Sequence, residues 1–388
     1  MSKIKIKIKK RKTGKEIVCG GDHLLVVYPY GLSPVASSFE EEIKKVKVAI
    51  ELGAKIVKDN SVGHKDWYKL LKHVSETTDV PVGASATLAA GNLSVEMGKD
   101  PTKVTKDLFY KGFEVLAQVC DCIEIFPSLT RESMKMINKR KILKSSISRA
   151  GNIILNYLSR EKSENPFYED LDWFLDYAKR EEITLILGNG LRASCIEDSF
   201  DEAQIYEVEI DKIVAEKAVK KGVRIITGIF GHVDPSKVEE MEKIRRMIDI
   251  PIGGLGPLLT DIALGYDHIN AAIGIVMMRK YIDWVSLITP AEHIGMPNLE
   301  DVIEGMTAFN IARHILDLAR GKNQMKDWKM GRARANKNLC LGMVKLAINP
   351  FAKKLENLKL NKKGCTLCGD WCPLVINPQH NNTLNYSD

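Results

Sequence analysis

Nowhere in these 388 residues is there an unbroken apolar run of the ~20 residues that a membrane helix needs, which excludes a spanning helix. Residues 1–12 alternate lysine with isoleucine but lead into no apolar segment, so no secretory leader is expected. A glycine-rich phosphate turn after the first strand is also missing, which argues against an open dinucleotide-binding sheet. Excess charge of one sign is small: 57 Lys and Arg against 50 Asp and Glu leave only +7. No aromatic residues interleave with the basic N-terminus, so no nucleic-acid surface is expected there. Without a leader, eight cysteines indicate a reducing compartment, the cytoplasm, where disulfides are not favoured. Cys19, Cys120, Cys122, Cys195 and Cys340 are scattered and read as buried structural thiols.

What the chain does have is an alternation. Short, β-branched apolar runs are each followed by a longer segment of helical periodicity. The spacing predicts strands over 54–58, 80–85, 122–126, 142–147, 184–187, 223–227, 250–254 and 284–289. It predicts helices over 39–52, 67–77, 102–119, 150–158, 168–180, 211–221, 237–247 and 301–320. Eight such pairs indicate an α/β fold, a closed (β/α)8 TIM-type barrel. The expected division is 1–44 as an N-terminal basic strand segment, 45–325 as the catalytic barrel, and 326–388 as a linker, helix and cysteine-bearing tail. The period-two Lys/Ile pattern at the N-terminus suits an edge strand with one wet face.

In such a barrel the chemistry lies at the C-terminal ends of the strands. The polar, glycine-bearing motifs follow the strands as this requires: 59–63, 148–151, 188–192, 231–234, 256–261 and 289–295. His232 and His293 stand in two such loops and form a candidate metal pair, although a lone histidine is usually a hydrogen-bonding residue. Ser148, Arg149 and Gly151 read either as a phosphate cradle or as a serine cap beside an exposed arginine. Asn189, Gly190 and Arg192 carry the same two readings. Three thiols crowd the C-terminus at Cys365, Cys368 and Cys372. They fit a structural zinc site completed by Cys340 or His380, or an iron–sulfur cluster with one open iron. The zinc reading, joined to the basic stretch 326–363, describes a zinc-stabilised nucleic-acid-binding protein.

Several segments together resemble the phosphomethylpyrimidine synthase (ThiC) family. They are 188–192, 198–204, 231–233, 255–258, 260–263, 265–268 and 289–297, with the C-terminal cysteines where that family has its own. The resemblance implies a radical S-adenosylmethionine enzyme, a carbon–carbon lyase acting on aminoimidazole ribotide. It implies a C-terminal 4Fe-4S cluster on Cys365, Cys368 and Cys372 that binds S-adenosylmethionine. It further implies a mononuclear divalent metal (zinc or iron) on His232 and His293. The ribotide would be held by Asn60, by Ser148, Arg149 and Gly151, and by Asn189, Gly190 and Arg192. A reductant such as ferredoxin or flavodoxin, and a homodimer or a dimer with a paralogous subunit, are the partners expected; no membrane or nucleic acid is.

This chain departs from the family pattern at several places. Its cysteine motif is one residue short, at C-x2-C-x3-C. The glutamate before Gly231-His232 is absent, Gly253 and Gly254 replace a tyrosine, and Phe126-Pro127-Ser128 lacks a histidine. Lys58 replaces a methionine, and residues 83–86 lack a tyrosine. By this resemblance the losses fall on groups that handle the imidazole and ribose, while the phosphate loops, metal pair and cluster persist. The losses point to the related anaerobic 5-hydroxybenzimidazole synthases, which make a cobamide lower ligand from the same ribotide. Pyrimidine synthesis for thiamine is the alternative.

Overall fold

The structure, a computed structural model, describes residues 4–21, 24–36, 38–335, 339–349, 360–361, 364–365, 367, 371 and 376. It divides into two compact units, Met1–Ala312 and Arg313–Asp388.

The first unit opens with a hairpin, β1 (Ile6–Lys9) antiparallel to β2 (Glu16–Cys19). Eight parallel strands then close a barrel: β3 (Leu25–Tyr30), β4 (Ile56–Asp59), β5 (Val82–Ser85), β6 (Cys122–Ile125), β7 (Thr184–Leu187), β8 (Ile225–His232), β9 (Ile252–Leu258) and β10 (Trp284–Ser286). The helices on the outside are α1 (Phe39–Glu51), α2 (Trp67–Thr77), α3 (Ala86–Glu96), α4 (Lys106–Ala117), α5 (Arg131–Ile137), α6 (Arg149–Glu161), α7 (Pro166–Glu169), α8 (Leu171–Arg180), α9 (Glu202–Lys221), α10 (Glu240–Met247), α11 (Asp267–Met277) and α12 (Leu299–Ala319). The barrel expected from the sequence is therefore present, but one of its strands is not where it was expected.

Residues 142–147 form no strand. Ile142 and Ile147 are exposed, and the polar residues between them cross the barrel rim towards α6. The missing stave is β3, which lies inside the segment assigned to the N-terminus, so the barrel begins at Leu25 rather than after residue 44. Pro29 sits within β3. The Val27 carbonyl accepts from Leu287 N–H, so Pro29, two residues on, faces the same neighbour beyond the end of β10. Its missing N–H therefore costs no ladder bond.

The lysine–isoleucine alternation behaves as its period requires. Ile6 and Ile8 are buried and Lys7 is exposed. Ile6, Ile8 and Cys19 pack with Leu25, Val27, Ile56, Cys122, Ile186, Ile226 and Trp284 in one core cluster, so the hairpin plugs the N-terminal end of the barrel. The plug is fixed by charge. The fully buried Lys10 ammonium donates to the Ser75 carbonyl at 2.9 Å and lies 3.3 Å from Asp121. Arg11 donates to the carbonyls of Ala117 and Cys120. Asp121 in turn accepts from the backbone N–H groups of Arg11 and Val82, tying plug to stave. Cys19, Cys120 and Cys122 are buried free thiols as expected, and Cys195 is half-buried.

The second unit contains α13 (Gln324–Ala335) and α14 (Leu339–Leu346), the latter carrying Cys340. Within it His314 Nε2 lies 2.6 Å from Asp327, and Arg332 stacks over Trp328. A two-residue strand, Gly364–Cys365, pairs with Leu360–Asn361. The Cys365 side chain, and Cys368, Cys372 and His380 altogether, lie outside the described residues, and with them the expected cluster site. Among the described residues no helix is long and apolar enough to cross a membrane.

Candidate active site

With the N-terminal end plugged, the barrel opens only towards its strands' C-terminal ends, where a cavity of about 560 Å³ lies. Its floor is set by one large side chain. Trp284 is buried and its indole N–H donates to the Thr227 carbonyl at 3.2 Å. A Cβ on Gly253 would lie 2.2 Å from that ring, so the residue there must be glycine. Val27 and Ile186 complete the apolar part of the floor, and Lys58 ion-pairs with Glu124 beside them.

The rim carries the residues singled out in the sequence. Asn60, Ser148, Arg149, Asn189, Arg192, His232 and His293 all line this cavity, though they come from five separate segments of the chain. Ser148 is the N-cap of α6, its hydroxyl accepting from Gly151 N–H at 3.2 Å. The cap and the cradle readings therefore coincide. The first turn of α6 contains no acidic residue, so its positive end faces the opening beside Arg149, which lies in the field of Glu292 and Asp59. Gly151 and Gly190 do not line the cavity. Each is needed for space: a Cβ would meet Ser146 Oγ at 2.2 Å or Leu129 Cδ1 at 2.7 Å.

Arg192 donates to the Asn189 carbonyl at 2.9 Å, which bends its guanidinium back over its own loop. Gly231 lets it pass, since a Cβ there would lie 2.9 Å from Arg192 Cδ. The loop is braced from behind. Glu207 accepts from Leu191 N–H and the Ser128 hydroxyl, and Arg140 donates to the carbonyl of Leu191 and to Asp201. Burial pushes the Glu207 carboxyl up from its ordinary value, against its bonds to Leu191 and Ser128 and the nearby Arg140 and Arg192.

His232 ends β8 with Nδ1 2.6 Å from Asp261 Oδ1. Nδ1 of His293 is 3.1 Å from Asp267 Oδ2, and the two rings stand 5.5 Å apart between centroids. Burial lowers the pKa of His232 in spite of Asp261, keeping the imidazole neutral. With Nδ1 of His232 bonded to Asp261, its Nε2 is left to bind, which is how ligating histidines are oriented, whereas the His293–Asp267 approach is an ion-pair distance without a hydrogen bond. This donor set fits a two-histidine site. Among the described residues no group of three or more His, Cys, Asp or Glu is placed to hold a metal.

Four kinds of residue escaped the sequence reading. Tyr28 and Tyr30 line the cavity with buried hydroxyls that have no hydrogen-bond partner, and they were missed with their strand. Glu42 accepts from Gly31 N–H at 3.1 Å and pairs with Lys45, which reaches the Pro297 carbonyl at 2.9 Å. Glu292 sits in the field of Arg149, Arg192 and His293, its pKa raised by burial. Asp59, at the end of β4, is buried and pushed up to about 7.

The chain is similar to known proteins over most of its length. The profile of the radical SAM ThiC family matches residues 3–379. The phosphomethylpyrimidine synthase of Caldanaerobacter subterraneus subsp. tengcongensis is 35% identical over 355 residues, covering 89% of this chain and 82% of the relative. That of Methanocaldococcus jannaschii is 31% identical over 356 residues, covering 89% and 83%. Among solved structures, a dihydropteroate synthase from Coxiella burnetii is similar at a TM-score of 0.45 and 9% identity, covering 81% of this chain and 99% of that one, a likeness too weak to carry any argument.

Proposed function

The chain belongs to the radical SAM ThiC family, and from that premise we propose that it rearranges aminoimidazole ribotide to a phosphomethylpyrimidine, as the names of its relatives suggest. The observation that carries the proposal is the convergence on one cavity of two arginines, the serine-capped N-terminus of α6 and a pair of histidines. Arg149, Arg192 and the first turn of α6 would hold the phosphate. Asn60 and Asn189 would orient the ribose. The plugged barrel excludes water from below while the carbon skeleton changes.

Cys365, Cys368 and Cys372 are proposed to hold the 4Fe-4S cluster that the family implies. When bound, such a cluster supplies the electron for reductive cleavage of S-adenosylmethionine. His232 and His293 would hold a divalent metal, His232 through its Nε2 atom as oriented by Asp261. A reductant of the ferredoxin or flavodoxin class belongs to the same proposal.

Self-association is a further part of it. Ile269, Ile273 and Met277 form an exposed stripe along α11, continued by Ile262, Leu264 and Tyr266. An apolar strip of this extent is commonly a contact surface. Replacing Ile273 with Glu is expected to halve the mass in sedimentation; an unchanged mass would remove the stripe from the interface.

The benzimidazole-forming alternative rests on the altered ring-side residues Lys58, Phe126 and Gly253, while the relatives above bear the pyrimidine name. The zinc-stabilised nucleic-acid reading finds no support in a family match that extends to residue 379. One experiment separates the products. Anaerobic incubation with aminoimidazole ribotide, S-adenosylmethionine and reductant, followed by mass spectrometry, should yield the pyrimidine phosphate and 5′-deoxyadenosine. Hydroxybenzimidazole as the product would reverse the order of the two readings, and absence of 5′-deoxyadenosine with cluster-loaded protein would sink both.

A further inference from the structure

Lys58 and Glu124 are an unusual pair of residues for the floor of this cavity. They project from β4 and β6 and meet across β5, which lies between those strands. The register partner of Lys58 on β5 is Gly83, which has no side chain to come between them. Both line the cavity, with side chains 16% and 9% exposed. Apolar neighbours, Trp284 and Ile186, share the floor.

An ion pair removed from water is favourable only when its leftover donors and acceptors are also satisfied. Here they are not. The Lys58 ammonium has three N–H groups and its one side-chain hydrogen bond among the described residues goes to Glu124. Among the described residues Glu124 accepts a hydrogen bond from Lys58 alone, although a carboxylate has room for several donors. The unused donors and the unused acceptor therefore stand side by side, next to a flat apolar surface, and open to the cavity.

We propose that Lys58 and Glu124 read the exocyclic amine of a heteroaromatic ring bound in this cavity. Glu124 accepts from the amine, and Lys58 fixes the carboxylate in place through its ion pair. This rests on the reading of the cavity as a ribotide site and adds to it the residues that select the base. They are positioning residues for binding, lining the same cavity as the phosphate-holding arginines.

The test is equilibrium binding by calorimetry to the full chain, with three probes: aminoimidazole ribotide, the same ribotide lacking the amine, and ribose 5-phosphate. A hydrogen bond to a charged group is worth ~1.5–3 kcal/mol, so the amine should tighten binding by at least about ten-fold. In K58M/E124L, which removes the pair without stranding a charge, the preference should fall to within about two-fold. E124Q, which keeps an acceptor, should retain part of it, and ribose 5-phosphate should bind all three proteins alike. The single variant E124L serves if the double one does not fold. Equal binding of the two ribotides by the native chain, or a preference unchanged in K58M/E124L, overturns the inference. If ribose 5-phosphate binds and neither ribotide does, the base site is refuted and the phosphate site stands. If none of the three binds, the ribotide reading fails and this inference falls with it.

Discussion

Asp59 should make this barrel less stable as pH rises through the acid range, and its replacement by Asn should remove that loss. The carboxyl is buried at the end of β4. It accepts from Ser61 N–H at 3.0 Å and from the Ser61 hydroxyl at 2.9 Å, and both bonds favour its charged form. Burial outweighs them and moves the pKa from 3.8 to about 7. The sign follows from proton binding. Below the unfolded value both states hold the proton and the shift has no effect. Between about pH 4 and 7 the unfolded chain ionises while the folded one keeps its proton, so folding loses stability as pH rises. Above the folded value the penalty is complete and constant. A rise of about 3 pH units at ~1.4 kcal/mol each gives a ceiling of about 4 kcal/mol. Denaturant unfolding of the native chain and Asp59→Asn at about pH 4.5, 5.5, 6.5 and 7.5 measures it. The stability difference, variant minus native, should grow with pH and flatten above about 7. A difference that stays constant across the range, or shrinks, would refute the reasoning.

Three further outcomes follow from the packing and the cysteines. Ile8→Ala should cost about 2–5 kcal/mol in denaturant unfolding, because Ile8 is fully buried in the plug; a cost below about 1 would mean the hairpin is dispensable to the core. Gly253→Ala should lower the thermal midpoint through its clash with the indole, and Trp284→Phe should rescue it in a double-mutant cycle; additive losses would show that the two residues do not compete for space. Cys368→Ala should abolish 5′-deoxyadenosine formation and leave thermal unfolding of the barrel unchanged, whereas full product formation would remove this cysteine from the cluster.

Seven of the eight staves were legible because a parallel strand buried on both faces is a short apolar run, and such runs recur between helical segments here. The eighth was obscured by Pro29, which marks a run as irregular unless one knows that the neighbouring strand has already ended. That knowledge is tertiary. The false strand at 142–147 shows the converse. Its isoleucines carry the composition of a stave, but Lys144, Ser145 and Ser146 break the run, and Ser146 is used as a brace, donating to the Gly190 carbonyl at 2.6 Å.

The site was legible to the extent that its residues advertise their chemistry locally. A serine before an arginine at a helix start, or a histidine after a glycine in a loop, can be picked out one segment at a time. What decides their behaviour comes from elsewhere. His232 takes its orientation from an aspartate 29 residues on, and Arg192 its path from a glycine on the next strand. Lys58 and Glu124 are the extreme case. They are 66 residues apart, each unremarkable in its strand, and they become a pair only when the barrel closes and Gly83 leaves the space between them. Two charges facing inward from strand positions would ordinarily count against a stave assignment. In a barrel plugged below and open above, the same positions face a cavity, so the charges that the strand pattern disfavours are the ones with a ligand to meet.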